Sequence, residues 1–194
     1  KFEDQFSDYC ECAEGVTTTS GTTAIHLALK SLGVGPGDEV LVPAFTMVGS
    51  VYPIVQCGAS PVFVDSEPDT GNMDIQDLER KITSASKVIL IVHIYGHPVD
   101  MDPVCDLARS RNLKIVEDAA EAHGALYKGR KAGSLGDVGC FSFYANKIIT
   151  TGEGGMVVSN DAALINKARR LKDLAHGKIR FTHDLPEAFN YRMT

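Results

Sequence analysis

The sequence predicts an α/β domain of three layers, with helices on both faces of a mostly parallel central sheet. Three observations predict it. Short apolar runs alternate with amphipathic helical stretches, a pattern that builds parallel sheets covered on both sides. The runs are rich in β-branched residues, most clearly Val88-Ile89-Leu90-Ile91-Val92. At 194 residues, with 44% hydrophobic and 23% charged residues, the chain suits one domain with a full core.

The elements follow in order. Ala24, Ile25, Leu27, Ala28, Leu29 and Leu32 give residues 22–32 a broad apolar face, which predicts a helix that Gly33, Gly35 and Gly37 end. Residues 39–42 predict a strand closed by Pro43, and 46–56 a helix. A strand over 61–64, a helix over 74–81 and a strong strand over 87–92 come next. Then come a helix over 103–110, a strand over 114–116, strands over 139–143 and 155–158, and a helix over 161–174. No repeat, low-complexity tract or clear linker interrupts the series. Such sheets bind ligands beyond the carboxyl ends of their strands, so the chemistry is sought there.

Composition narrows the function classes. A formal net charge of −6 argues against a nucleic-acid partner, which would require a basic stripe. The one dense basic patch, residues 128–131, reads as a solvated turn. Five cysteines (Cys10, Cys12, Cys57, Cys105, Cys140) form an odd set without framework spacing. With no signal peptide and no long apolar span, they point to a reducing cytoplasm and no membrane role. Cys10 and Cys12 are too close for a zinc half-site, and no second pair follows. The chain opens on Lys1 and closes on Tyr191-Arg192-Met193-Thr194 without a helix-ending signal, and is therefore expected to be a piece of a longer protein.

Three stretches carry candidate chemistry. Ser20-Gly21-Thr22-Thr23-Ala24 stands at the start of the first predicted helix, where free N–H groups and the helix dipole favour an anion. Gly21 allows close approach and the two threonines add hydroxyls, which makes a phosphate cradle; an ordinary helix cap is the alternative. In Ile115-Val116-Glu117-Asp118-Ala119-Ala120-Glu121, two carboxylates end a buried strand. A carboxylate there requires a positive partner, for which a protonated pyridine nitrogen would serve, or else it caps the structure. The third stretch, Phe141-Ser142-Phe143-Tyr144-Ala145-Asn146-Lys147, places a lysine between an aromatic strand and the small-residue loop Thr150-Thr151-Gly152-Glu153-Gly154-Gly155. Desolvation lowers a lysine's pKa, and a neutral amine attacks an aldehyde. Ser142 adds a hydroxyl for a phosphate.

Other motifs are set aside. Gly33-Val34-Gly35-Pro36-Gly37 follows a helix and fails the dinucleotide test, and no Walker lysine exists. His93 and His97 are separated by helix-breaking residues, so no zinc pair, and no metal, is expected. His26 reads as a packed or surface residue, and His123 as structural or supporting.

Together these stretches strongly resemble the DegT/DnrJ/EryC1/StrS sugar aminotransferases, a family of fold type I pyridoxal 5'-phosphate (PLP) enzymes. The likeness runs through Gly35-Pro36-Gly37-Asp38-Glu39-Val40, Pro61-Val62-Phe63-Val64-Asp65, His93-Ile94-Tyr95-Gly96, Asp100-Met101-Asp102, Gly133-Ser134-Leu135-Gly136-Asp137 and Asn190-Tyr191-Arg192-Met193. The resemblance implies that residues 1–194 form the PLP-binding large domain, incomplete, without the family's N-terminal arm and small C-terminal domain. It implies that Lys147 bonds the cofactor's aldehyde and later shuttles the proton, and that Asp118 pairs with the pyridine nitrogen. Thr22, Thr23 and Ser142 would hold the phosphate, and Glu121, glutamine in many relatives, would lie near the 3-hydroxyl edge. Met47 stands where many relatives stack an aromatic ring on the cofactor; a thioether also packs on a π face. Asn190, beyond the variable loop from His176 to Pro186, would reach a partner subunit's phosphate, since family members are homodimers with shared sites. The implied reaction moves an amino group, usually from glutamate, to a nucleotide-linked 4-keto-6-deoxy sugar. The Glu-Asp-Ala-Ala-Glu-Ala-His run leans towards a GDP-4-keto-6-deoxymannose type of substrate. Two alternatives stand beside it: a PLP-dependent sugar dehydratase, whose members carry histidine in place of Lys147, and a non-catalytic module that binds a ligand or partner.

Overall fold

The structure is a computed structural model that describes residues 1–176 and 185–193. Most of the loop before Asn190, residues 177–184, lies outside the described residues. Seven strands form one sheet in the order β1-β9-β8-β5-β4-β2-β3. These are β1 (Glu14–Thr18), β2 (Glu39–Pro43), β3 (Ser60–Val64), β4 (Ser86–Val92), β5 (Lys114–Asp118), β8 (Val138–Ser142) and β9 (Gly155–Ser159). From β8 to β3 every neighbour is parallel, while β9 runs antiparallel to both β8 and β1. A separate two-stranded hairpin, β6 (Leu126–Tyr127) with β7 (Arg130–Lys131), occupies the basic patch, and Lys128 at its turn pairs with Asp102.

Strand alternation assigns the layers. Val88, Leu90 and Val92 of β4 join the core under α2 (Gly21–Ser31), α3 (Val48–Gln56) and α6 (Ala162–Lys172). Ile89 and Ile91 face the other way, onto α4 (Ile75–Lys81) and α5 (Met101–Arg111). On that second side α1 (Phe2–Tyr9) inserts Phe6 between Phe141 and Phe143, with ring centroids 5.0 Å away in both cases. The three-layer α/β architecture is the one the sequence predicts.

Local rules explain the element ends that position the site. α2 opens on a capping box between Ser20 and Thr23. It closes in a Schellman turn: Gly33 at φ +79 donates to Lys30, and the Val34 N–H reaches the Leu29 carbonyl at 3.0 Å. The predicted 161–174 helix stops at Lys172, because Leu174 and Ala175 both take left-handed backbone conformations. Among the described residues no helix is long and apolar enough to cross a membrane.

Candidate active site

A cavity of about 300 Å³ lies beyond the C-terminal ends of β5 and β8, where the N-termini of α2 and α3 converge. That volume falls at the lower end of small-molecule sites. Asp118 enters from β5, Ser142 from β8, Gly21 and Thr22 from α2, and Lys147 from the loop between β8 and β9. The loop folds back on its own strand: the Lys147 N–H bonds the Tyr144 carbonyl at 2.9 Å and the Thr151 N–H bonds that of Phe143 at 3.0 Å.

One wall of the cavity is α2's first turn against β8. A Cβ added to Gly21 would sit 2.8 Å from the Ser142 Cβ, so only glycine fits there with the helix end pressed against the strand. Thr22 lines the cavity, but Thr23 does not: its hydroxyl accepts the Ser20 N–H at 2.9 Å inside the capping box. Of the two threonines, Thr22 faces the cavity and Thr23 holds the helix end.

Asp118 is 7% exposed. Its Oδ1 accepts the Ala120 N–H at 3.1 Å and its Oδ2 accepts the Ser50 hydroxyl at 2.6 Å. Burial pushes its carboxyl up, opposed by those two hydrogen bonds and by the positive charge of Lys147. A cation arriving in the cavity would favour its ionised form.

Lys147 is tucked in, its side chain 15% exposed, and its Nζ lies 3.3 Å from Glu121 Oε1. The other oxygen of Glu121 accepts the Tyr95 N–H at 3.1 Å, which fixes the carboxylate. Lys147 and Asp118 also border a smaller adjoining cleft with Met47, Ser50 and Glu121.

The neighbouring Glu117 faces away from the cavity. It accepts from the N–H groups of Gly133, Leu135 and Gly136 at 2.6–2.7 Å and pairs with His93 Nε2 at 2.9 Å. His93 Nδ1 accepts the Val99 N–H, so the ring's proton sits on Nε2 and points at Glu117. Its carboxylate is a structural staple. Among the described residues no group of three or more His, Cys, Asp or Glu is placed to hold a metal ion.

The model of the DegT/DnrJ/EryC1/StrS aminotransferase family matches residues 1–194. The chain belongs to that family. It is 50% identical over 194 residues to a GDP-perosamine synthase of Caulobacter vibrioides, covering 100% of this chain and 52% of the relative. It is 42% identical over 184 residues to a dTDP-3-amino-3,4,6-trideoxy-alpha-D-glucose transaminase of Streptomyces venezuelae, covering 94% of this chain and 48% of the relative. Among solved structures, S. venezuelae DesV in complex with a ketimine intermediate superposes with a TM-score of 0.95 at 42% identity, over 99% of this chain and 52% of that one. The PLP form of Spr1654 of Streptococcus pneumoniae matches with a TM-score of 0.90 at 33% identity, over 96% of this chain and 53% of that one. The chain thus spans about half the length of the curated relatives it matches.

Within this family member, Met47 stands at the cavity mouth as the N-cap of α3, 70% exposed. Asn190 is exposed, bridges to Asp173 and does not line its own chain's cavity. His26 is buried with Nδ1 3.0 Å from the Tyr191 hydroxyl, and His123 is buried against the rings of Phe6, Phe141 and Phe143. The structure also brings in residues that sequence reasoning passed over: Ser50, Tyr144, Asn146 and Glu153. Tyr144, Asn146 and Glu153 lie inside stretches already singled out but were given no role. Ser50 carries no local signal at all.

Proposed function

We propose that this chain is the PLP-binding large domain of an aminotransferase that moves an amino group from glutamate to a nucleotide-linked 4-keto-6-deoxy sugar. The carrying observation is one cavity bordered by the Lys147 amine, the buried Asp118 carboxylate and the α2 N-terminus. The relatives named as GDP-perosamine synthase and as a nucleotide-sugar transaminase support the substrate class, with a GDP-linked sugar favoured by the higher identity.

The residues fit the cofactor. The close contact between Gly21 and Ser142 leaves backbone and hydroxyl donors, with Thr22, for a phosphate. Asp118 suits a protonated ring nitrogen, and Met47 offers a thioether to a ring face. When bound, PLP supplies an aldehyde and an electron-withdrawing ring. Lys147 would hold the aldehyde covalently and then, as a free amine, carry a proton between donor and acceptor carbons. Asp118 would keep the ring nitrogen protonated, and Glu121 would meet the ring's hydroxyl edge while orienting Lys147. Thr23 would contribute by holding the first turn of α2. Asn190, which does not line its own chain's cavity, would serve the site of a second copy in a homodimer. Five free cysteines suit a reducing, cytoplasmic setting.

The test is spectroscopic. Adding PLP to the protein is expected to give the visible absorbance band of a lysine-bound cofactor, and Lys147→Ala is expected to abolish it. A wild type without the band, or a Lys147→Ala variant that retains it, refutes the assignment.

A further inference from the structure

Asp118 has one hydrogen-bond partner whose proton has only one place to go. With Asp118 ionised, the hydroxyl of Ser50 donates to its Oδ2 at 2.6 Å. Ser50 Oγ also lies 3.0 Å from the hydroxyl of Thr46. With its own proton committed to Asp118, Ser50 can only accept there, and Thr46 donates. The chain of hydroxyls therefore runs in one direction, from Thr46 through Ser50 to the carboxylate. Thr46 precedes the N-cap of α3 and Ser50 sits in its first turn, so the helix start itself sets the relay's spacing. Ser50 is buried, 1% exposed.

We propose that Ser50, with Thr46 behind it, is a positioning residue that holds Asp118 as a carboxylate aimed into the cavity. This rests on the reading that Asp118 meets the cofactor's ring nitrogen. Burial works against that charge, and a short hydroxyl–carboxylate bond favours the ionised form. A neutral donor is suited to the task in a way that a cation is not. Lysine or arginine at position 50 would neutralise the carboxylate before the ring nitrogen arrived, whereas a hydroxyl supports the charge and leaves it available. The other groups facing Asp118 are Lys147 from the loop after β8, His93 from the end of β4, and Cys140 on β8. Burial keeps the Cys140 thiol well above its ordinary range, so it adds no charge.

The experiment follows the Asp118 carboxyl by carbon-13 NMR titration in the protein without cofactor, its signal assigned with Asp118→Asn. Ser50→Ala is expected to raise the Asp118 pKa by about one unit or more, the size of a lost hydrogen bond to a charged acceptor. Ser50→Thr, which keeps the hydroxyl, is expected to restore it, and Thr46→Val to give a smaller rise in the same direction. An unchanged Asp118 titration in folded Ser50→Ala overturns the proposal, as does an equal rise in Ser50→Ala and Ser50→Thr. Should Ser50→Ala fail to fold, Thr46→Val decides, and no shift there overturns the relay. Adding PLP to the wild type separates the two ideas: absence of the visible band removes the cofactor reading, while the carboxyl titration reports on the relay independently.

Discussion

Adjacent residues on a strand face opposite sides of its sheet, and β5 ends by sending one carboxylate to each side. Glu117, itself fully buried, meets the buried N–H groups of Gly133 and Leu135, the part-buried N–H of Gly136 and the buried Nε2–H of His93. Gln at that position offers one oxygen and turns an NH2 towards two donors. The His93 ring cannot flip its proton to help, because Nδ1 is already taken by Val99. Glu117→Gln is therefore expected to destabilise the fold by about 3 kcal/mol in urea unfolding, the cost of stranding buried donors. Asp118→Asn is expected to leave the unfolding midpoint nearly unchanged while amino transfer falls on the order of a hundredfold or more, since the proposed role puts its preorganised charge at the cofactor ring. The reverse pattern would mean that the two roles are assigned the wrong way round. Sequence reading identified both carboxylates and Lys147 from their place at strand ends, but spacing alone could not separate staple from site. That division depends on which way each side chain points, and Ser50 became visible only when α3 was laid across β5.

At the scale of elements, one carboxylate adds a polar clasp to the packing of α1. Glu3 Oε1 accepts the Thr17 N–H at 2.7 Å and the Lys172 amine at 3.1 Å, and Oε2 accepts Arg169 at 2.6 Å, so one residue ties α1 to β1 and α6. Burial pushes this carboxyl up, but the Thr17 bonds, Arg169 and Lys172 outweigh it and bring it to about 2, against 4.5 for an ordinary glutamate. A carboxyl depressed by folding stabilises the native state above its ordinary pKa, and that stabilisation is lost as pH falls through the native value. Wild type is therefore expected to lose stability between about pH 4.5 and 2 more steeply than Glu3→Gln, measured as thermal midpoint against pH. Parallel curves in that window would show that the clasp contributes nothing. Neither α1 nor β1 was legible in the sequence. α1 is eight residues long and largely polar, and β1 is five residues whose partner, β9, lies far along the chain. The longer helices α2, α3 and α5 and the apolar strand β4 were legible because their own periodicity is strong enough to be read without a partner.

At the scale of the whole molecule, the three-layer architecture follows from alternation alone, and so does the placing of the site beyond the carboxyl ends of β5 and β8. What alternation does not determine is how the cavity mouth is finished. Met47, Tyr95 and Ile148 stand there or next to cavity-lining residues with 70%, 79% and 69% of their surface exposed. Phe45, itself exposed, packs its ring 6.2 Å from that of Tyr95. Exposed apolar side chains beside a binding site call for a cover, and the proposed homodimer supplies one in the form of a second copy. Asn190, exposed and outside the lining of its own chain's cavity, fits the same arrangement. Sedimentation equilibrium is expected to give twice the mass of one chain at micromolar concentration, and the double variant Tyr95→Asp with Ile148→Asp is expected to shift the population towards single chains. Tyr95 has a left-handed backbone, which aspartate tolerates, so the substitution tests the surface rather than the turn. A single-chain mass at every concentration, or a dimer indifferent to both charges, would place the cover elsewhere.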